Sequence, residues 1–448
     1  MDDNYEKLLH KKSIIHRHDI IEIIYDSISE DIKNLSYQNI KSTTYDDYMK
    51  LMITFEYIWQ MGILSIFVNI RNGQLINFVP FINIKDKSIK NIFVSTIDKL
   101  KKYLNMAESH NKKWGPPQDQ DKMILDKCII YGFKYKNNDL FNNVQFFYYP
   151  LYFDMFWNFL RDTKTNLTSM FFVNIFDHPI IKKTILSTNK LLSNDTQSSF
   201  SDIAFPYADI WMNFSPEKIT DVPITNHYTS VKNMVTAYLS ISHEKLFTMF
   251  NQRKKMMIFR GKLTGCYPEN AKNNLRLCAV KTVYQIPNYK KYYNVGLSNL
   301  YNGIIVENHI YHKDDDLKND IELLRKDYPE LVKYVSGPLQ LQELLSGYQF
   351  ALSIDGFVSA WRLPYELLMG NVVFICSNYT TWFSDLLVDG INCIKVHDLS
   401  LLHNKYMALY HNVNLCRQIS MEANLLGKKL FTKEFIYQKL FQSISVTK

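Results

Sequence analysis

The chain has 448 residues, 46% hydrophobic and 21% charged, with a formal net charge of +8. These fractions lie close to globular averages, which excludes wholesale disorder, a collagen-like repeat and a coiled coil, and the length fits about two to three domains. Asn, Lys, Ile and Tyr recur throughout, as in an AT-biased genome, so the 30 Tyr and 28 Phe receive no functional weight.

Residues 1–50 place apolar side chains near helical spacing and are expected to form an N-terminal helical segment. The stretch ITFEYIWQMGILSIFVNIRNGQLINFVPFI reads as a helix followed by strands, and Arg71-Asn72-Gly73 between two apolar runs is a hairpin signal. Ala107 to Asp121, with Pro116-Pro117, reads as a surface loop. The strand SMFFVNIF then ends at Asp177-His178-Pro179.

From about residue 240 short apolar strands alternate with helices. The strand KMMIF (255–259) leads to Arg260-Gly261, then a helix near 270–280 and a longer one after Asp314-Asp315-Asp316. Next come QFALSI (349–354), the loop DGFVS, a helix starting near Ser359, the strand NVVFIC, a helix near 380–388, the strand NCIKV and a helical tail from about 399 to 445. Such alternation points to a parallel sheet flanked by helices. The expected domains are the helical segment 1–50, two α/β units at 51–235 and 236–425, and a terminal helix, 426–448, packing back on the N-terminal unit.

The charged N-terminus lacks the apolar run of a signal peptide. No run of eighteen apolar residues predicts a membrane span, and ISVTK is not an ER-retention signal. The six cysteines form no C-x-x-C pair. The expectation is a cytoplasmic protein with free thiols. Lys and Arg are interspersed with Asp and Glu rather than gathered on one tail, which favours a solvated surface or an anionic small ligand over nucleic acid.

In an open α/β sheet, ligands bind beyond the carboxyl ends of the strands. Three strands here end in polar turn-formers, at Arg260-Gly261, Asp355-Gly356 and Ser377-Asn378. Such a rim suits a diphosphate: glycine admits backbone donors, the helix start near Ser359 offers free N–H groups, and arginine forks match phosphate oxygens. Arg260 and Arg362 are the candidate clamps, unless each pairs with a local acid such as Asp355 or Glu366. Asp177 at its strand tip is either a turn residue or a general base, the latter requiring partial burial to raise its pKa. Asp314-Asp315-Asp316 sits where acidic residues cap a helix, and no H-E-x-x-H pair occurs, so no metal is expected.

The stretch Tyr348–Phe374, YQFALSIDGFVSAWRLPYELLMGNVVF, resembles the signature of glycosyltransferase family 90, the capsule-associated and protein O-glucosyltransferase/xylosyltransferase group. MMIFRGKLTG (256–265), YTTWFSDLL (379–387), INCIKVHDLSLL (391–402) and SMFFVNIFDHP (169–179) resemble further motifs of that family in the same order. The resemblance implies a GT-B-like α/β fold, two Rossmann-like domains facing a central cleft. It also implies inverting, metal-independent transfer of glucose or xylose from a UDP-sugar to a hydroxyl of a glycan or protein, with no cofactor. Carried over by motif, Asp177 is the general base, and Arg260, Gly261, Asp355, Gly356, Ser359, Arg362 and Glu366 hold the donor. His178 and Trp382 fall on the acceptor side of the cleft. Animal members of the family are secretory, and the absence of secretory features here points to a cytosolic acceptor.

Three rivals remain at this point. A retaining GT-B enzyme often carries two glutamates with seven residues between them; Glu366 would be the second, but the first falls on Val358. A basic polyanion binder would use the +8 charge without catalysis and lose affinity steeply with salt. A degenerate sugar-nucleotide binder would keep the arginines and show no turnover.

Overall fold

The computed structural model describes residues 17–34, 43–61, 65–81, 148–175, 179–181, 183–184, 186–197, 199, 201–214, 225–263, 274–298, 305–306, 309–310, 329–356 and 359–447. The loop expected at 107–121, the acidic run at 314–316 with the helix after it, Asp177, His178 and Val358 lie outside these residues. Two units divide the chain: residues 1–223 with 436–448, and residues 224–435.

In the first unit, helices α1 (Arg17–Asn34) and α2 (Thr43–Met61) precede the hairpin β1 (Ser65–Arg71) and β2 (Gln74–Phe81). The turn is where the sequence puts it. Asn72 and Gly73 hold φ of 48° and 74°, the left-handed pair that suits a two-residue hairpin loop. Helix α3 (Tyr148–Thr163) and strands β3 (Ser169–Asn174), β4 (Leu191–Ser193) and β5 (Ile203–Ala204) follow.

The sheet order is β2-β1-β3-β4-β5. β1 runs antiparallel to β2 and β3, whereas β3, β4 and β5 run parallel. This sheet is therefore mixed, which corrects the Rossmann-like expectation for the N-terminal unit. The hairpin is the cause, because a two-residue turn joins only antiparallel strands. Phe55 packs on Phe81 and Phe172, and Phe153 meets Phe78 edge-on. The chain's last residues dock on the same unit: the Tyr437 hydroxyl donates to Asp162 at 2.7 Å and that of Ser443 to the Ala204 carbonyl at 2.9 Å.

The second unit contains α4 (Thr225–Leu239), α5 (His243–Gln252), β6 (Lys254–Gly261), α6 (Leu275–Tyr284), β7 (Tyr293–Leu297), α7 (Leu341–Ser346) and β8 (Tyr348–Ile354). It continues with α8 (Leu363–Leu368), β9 (Val372–Cys376), β10 (Ile394–Lys395), α9 (Leu402–Tyr410), α10 (Val413–Leu430) and the start of α11 (Lys433–Val446). Its sheet, in the order β10-β9-β8-β6-β7, is parallel throughout. Every residue of β8 and β9 is buried. Helices covering both faces make such strands read as unbroken apolar runs, which is why ALSI and VVFIC are legible in the sequence.

Three local expectations are corrected. The helix expected from Ser359 begins at Leu363, with Arg362 at its N-cap and Pro364 in its first turn. Residues 380–388 form a two-residue strand, Thr380–Thr381, and a single 3-10 turn, Ser384–Leu386, in place of a helix. There the Ser384 hydroxyl accepts from the Thr381 amide at 2.8 Å and Asn392 Oδ1 from the Val388 amide at 2.9 Å, bonds that compete with a helical ladder. The long tail is three helices, the second capped by the Asn412 side chain on the Leu415 amide.

Helix α10 crosses α8 at backbone contact. A Cβ on Gly427 would lie 2.3 Å from Leu368 Cα. Its neighbours close the end of α8: Asn424 Nδ2 donates to the Leu368 carbonyl at 2.5 Å, and Ser420 Oγ to that of Gly370 at 2.6 Å. Among the described residues, Cys278, Cys376, Cys393 and Cys416 are free thiols. Also among the described residues, no helix is long and apolar enough to cross a membrane.

Candidate functional site

The order β10-β9-β8-β6-β7 reverses direction between β6 and β8. In open parallel sheets such a switch point opens a crevice at the carboxyl ends, where ligands bind. Gly261 ends β6 and Asp355-Gly356 follow β8, so these sequence candidates flank the switch point.

A residue that the sequence reading missed occupies this crevice. Arg276, in the first turn of α6, donates from Nη1 to the Lys262 carbonyl at 2.8 Å and from Nε to the Asp355 carbonyl at 3.1 Å. Its Nη2 reaches the Ile354 carbonyl at 3.2 Å. One guanidinium thus ties together the ends of β6 and β8. Gly261 lies beside it: a Cβ there would crowd the Phe259 ring at 2.9 Å and meet Arg276 Nη1 at an ordinary 3.4 Å. Burial lowers the Arg276 pKa to about 9, helped by the charge of Arg362 and opposed by Asp355. A cation in a first helical turn opposes the macrodipole.

Asp355 is buried, and its Oδ2 accepts from the Asn378 amide at 2.6 Å, linking the ends of β8 and β9. Burial raises its pKa to about 6, against the opposing pull of Ser377, Asn378 and Arg276. For this acid the folded value lies above the unfolded one. The stability contribution therefore falls as pH rises between about 4 and about 6 and is flat above, a cost on the order of 3 kcal/mol at neutral pH. Asp355→Asn, which keeps an acceptor for Asn378, should melt higher than wild type at about pH 7 and show a smaller difference at about pH 4. Thermal melts across that range test it, and a difference independent of pH would refute it.

Arg362 is 8% exposed, and its Nε lies 3.4 Å from Glu366 Oε1. Among the described residues, its two terminal nitrogens have no hydrogen-bond partner. Glu366 is buried, which raises its pKa. Its Oε2 is closed off without a hydrogen bond among the described residues. A carboxyl so placed orients Arg362 through Nε. Ser359 is buried and Gly356 half-buried beside this pair in the chain.

Arg260 does not follow the expectation of a rim clamp. Its Nη1 donates to the carbonyls of Phe259 and Asn294 at 2.9 and 2.7 Å, and Nη2 to Asn294 Oδ1 at 2.5 Å. In register Arg260 lies beside Gly296, so Asn294 draws the guanidinium back toward the amino end of the sheet. Its titratable neighbours there are Tyr348, Tyr284 and Glu343 rather than Asp355 or Arg362. Trp382 is likewise a packing residue, 3% exposed, edge-on to Phe383 at 5.3 Å and tilted on Phe435 at 5.7 Å. No cluster of three or more His, Cys, Asp or Glu suited to a metal occurs among the described residues.

In the first unit the parallel strands β3 and β4 end in a buried polar knot. Asn174 Nδ2 donates to Ser193 Oγ at 3.1 Å, and Ser193 donates to Asp202 Oδ1 at 2.6 Å. Asp202 also accepts from the amides of Ile180 and Ile181, each at 3.0 Å.

No protein-family model matches this chain, so the family-90 resemblance rests on the motifs themselves. The chain is similar to the "Uncharacterized protein 179R" of Invertebrate iridescent virus 6, 28% identical over 294 residues, which span 59% of this chain and 24% of that protein. It is also similar to the "Uncharacterized protein 035R" of Invertebrate iridescent virus 3, 24% identical over 435 residues, spanning 88% of this chain and 36% of that one. The chain thus spans well under half the length of the curated relatives it matches. Among solved structures, Anabaena HepE in complex with UDP-glucose overlaps 47% of this chain and 55% of its own, at 12% identity and a TM-score of 0.29. Sucrose-phosphate synthase from Thermosynechococcus elongatus overlaps 46% and 47%, at 13% identity and a TM-score of 0.28.

Proposed function

We propose that this chain is a sugar-nucleotide-dependent glycosyltransferase of the family-90 type. In this reading it moves glucose or xylose from UDP to a hydroxyl of a glycan or protein, with inversion and without a metal. The observation that carries the reading is Arg362: a buried guanidinium beside the switch-point rim, oriented by Glu366, with both terminal nitrogens unoccupied among the described residues. A planar fork in that state fits two phosphate oxygens. Family-90-like motifs in the family's order supply the sugar-nucleotide part of the reading.

Each group then has a task. Arg362 grips the diphosphate and offsets the charge that develops on departing UDP, a stabilisation aimed at the transition state. Arg276 holds the crevice carbonyls in place and adds positive potential. Gly261, Asp355, Gly356 and Ser359 shape the rim. Asp177 accepts the acceptor hydroxyl's proton as its oxygen attacks the anomeric carbon opposite UDP. The test is calorimetry of the protein with UDP, UDP-glucose, UDP-xylose and GDP-mannose in EDTA. UDP-selective heat that survives the chelator supports the reading. Absence of heat with every nucleotide, together with salt-sensitive binding of a polyanion, replaces it with the polyanion binder.

A further inference from the structure

Of the three polar turns at the carboxyl ends of the strands, the one after β9, Ser377-Asn378, has no task in the proposed function. Its backbone is held from two sides. The Asn378 amide donates to Asp355 Oδ2 at 2.6 Å, and the Tyr379 amide to Ser377 Oγ at 3.1 Å. Just before the turn, the Asp355 amide donates to the Cys376 carbonyl at 3.2 Å. Arg276 Nε in turn holds the Asp355 carbonyl at 3.1 Å, and the charge of Arg362 is felt at Arg276. Asn378 is thus tied, through Asp355, to the crevice that contains both guanidinium groups.

The side chain is the opposite case. Asn378 is exposed, and among the described residues its carboxamide has no hydrogen-bond partner. Turn asparagines commonly bond their own backbone two residues on; here the Ser377 hydroxyl makes that bond instead. With its backbone fixed and its side chain open, Asn378 presents one donor group and one acceptor group. A phosphate oxygen only accepts, whereas sugar hydroxyls take both. The turn is uncharged from Ser377 to Thr380, which suits a neutral sugar better than a diphosphate. A uracil edge has similar chemistry, and access separates the two. The anomeric carbon must stay open to an incoming hydroxyl, and Asn378 and Thr380 lie on an exposed stretch of the rim.

We propose that Asn378 is a specificity contact for the donor sugar: its carboxamide hydrogen-bonds hydroxyls of the pyranose whose diphosphate lies on Arg362. This assignment rests on the sugar-nucleotide reading of the crevice under the proposed function. A few placed polar groups of this kind fix a small ligand's orientation. Because the Asn378 backbone is already held by Asp355, little ordering is left for the ligand to impose.

The test is calorimetry of the full-length protein and of Asn378→Ala and Asn378→Leu with UDP, UDP-glucose and UDP-xylose, beside a thermal melt of each. The expected result is an affinity for UDP-sugars lower by about 3- to 20-fold, the range for one or two neutral hydrogen bonds. Affinity for UDP should stay within about twofold of wild type, and Tm within about 2 °C, since the exposed side chain has no partner to lose. Leucine keeps the bulk, so equal losses in the two variants assign the effect to hydrogen bonding; where one variant does not fold, the other decides. A loss on UDP-glucose alone places the contact on the hydroxymethyl group, and a loss on both sugars places it on ring hydroxyls. An equal loss for UDP and the UDP-sugars assigns Asn378 to the uridine diphosphate and overturns the proposal. Wild-type binding that both variants retain in full refutes this inference alone. Wild-type protein that binds no nucleotide refutes the sugar-nucleotide reading and this inference with it.

Discussion

Arg362→Ala is expected to weaken UDP binding by about 10- to 100-fold, the range for losing charge-assisted hydrogen bonds from a desolvated site. The residue is 8% exposed, and its one close partner among the described residues, Glu366, lies 3.4 Å from Nε alone. Two nitrogens are left for an anion among the described residues. Removal also strands Glu366, whose pKa burial already raises; it will take up a proton rather than stay charged, so the fold should survive. Arg362→Lys should recover only part of the affinity, because a point charge cannot form the two parallel bonds of the fork. Arg260→Ala is the control. Its donors serve Phe259 and Asn294, so its loss should lower Tm and leave UDP affinity within about twofold. Calorimetry on the three variants measures all of this. The reverse pattern, with Arg260 essential and Arg362 dispensable, would sink the site.

Asp177→Asn is expected to lower transfer by about 100- to 10,000-fold, the usual contribution of a positioned general base, with UDP affinity unchanged. The amide keeps the shape and cannot take the acceptor's proton. UDP release from UDP-glucose and UDP-xylose, read beside UDP binding of the same variant, separates chemistry from donor capture. Retained turnover with lost UDP affinity would assign Asp177 to binding and remove it as the base.

The strands of the second unit were legible because parallel sheets covered on both faces impose continuous apolar runs, and polar residues after ALSI and VVFIC marked where those runs stop. The rim followed from that. The direction of Arg260 did not, because it is decided by Asn294, 34 positions away. Arg276 escaped notice since its partners are backbone carbonyls at 262, 354 and 355, groups that carry no residue-specific signal. Trp382 looked like a cleft residue by motif and is claimed by Phe435, a packing partner on a distant helix. The single turn at 384–386 replaced a helix because Ser384 and Asn392 side chains captured amides that a helix needs.

The backbone contact between α10 and α8 bears on the energetics of ligand capture. Gly427 lets α10 touch Leu368, while Asn424 and Ser420 close the carbonyls at the end of α8. Arg253 Nη2 adds a third such bond, to the Met369 carbonyl at 2.6 Å. The short helix with Arg362 at its N-cap is thus immobilised when the unit folds, not when an anion arrives. The ordering entropy is spent during folding, so anion binding here need not be weakened by it. Amides of α8 should accordingly exchange with solvent at nearly the same slow rate whether or not the crevice is filled.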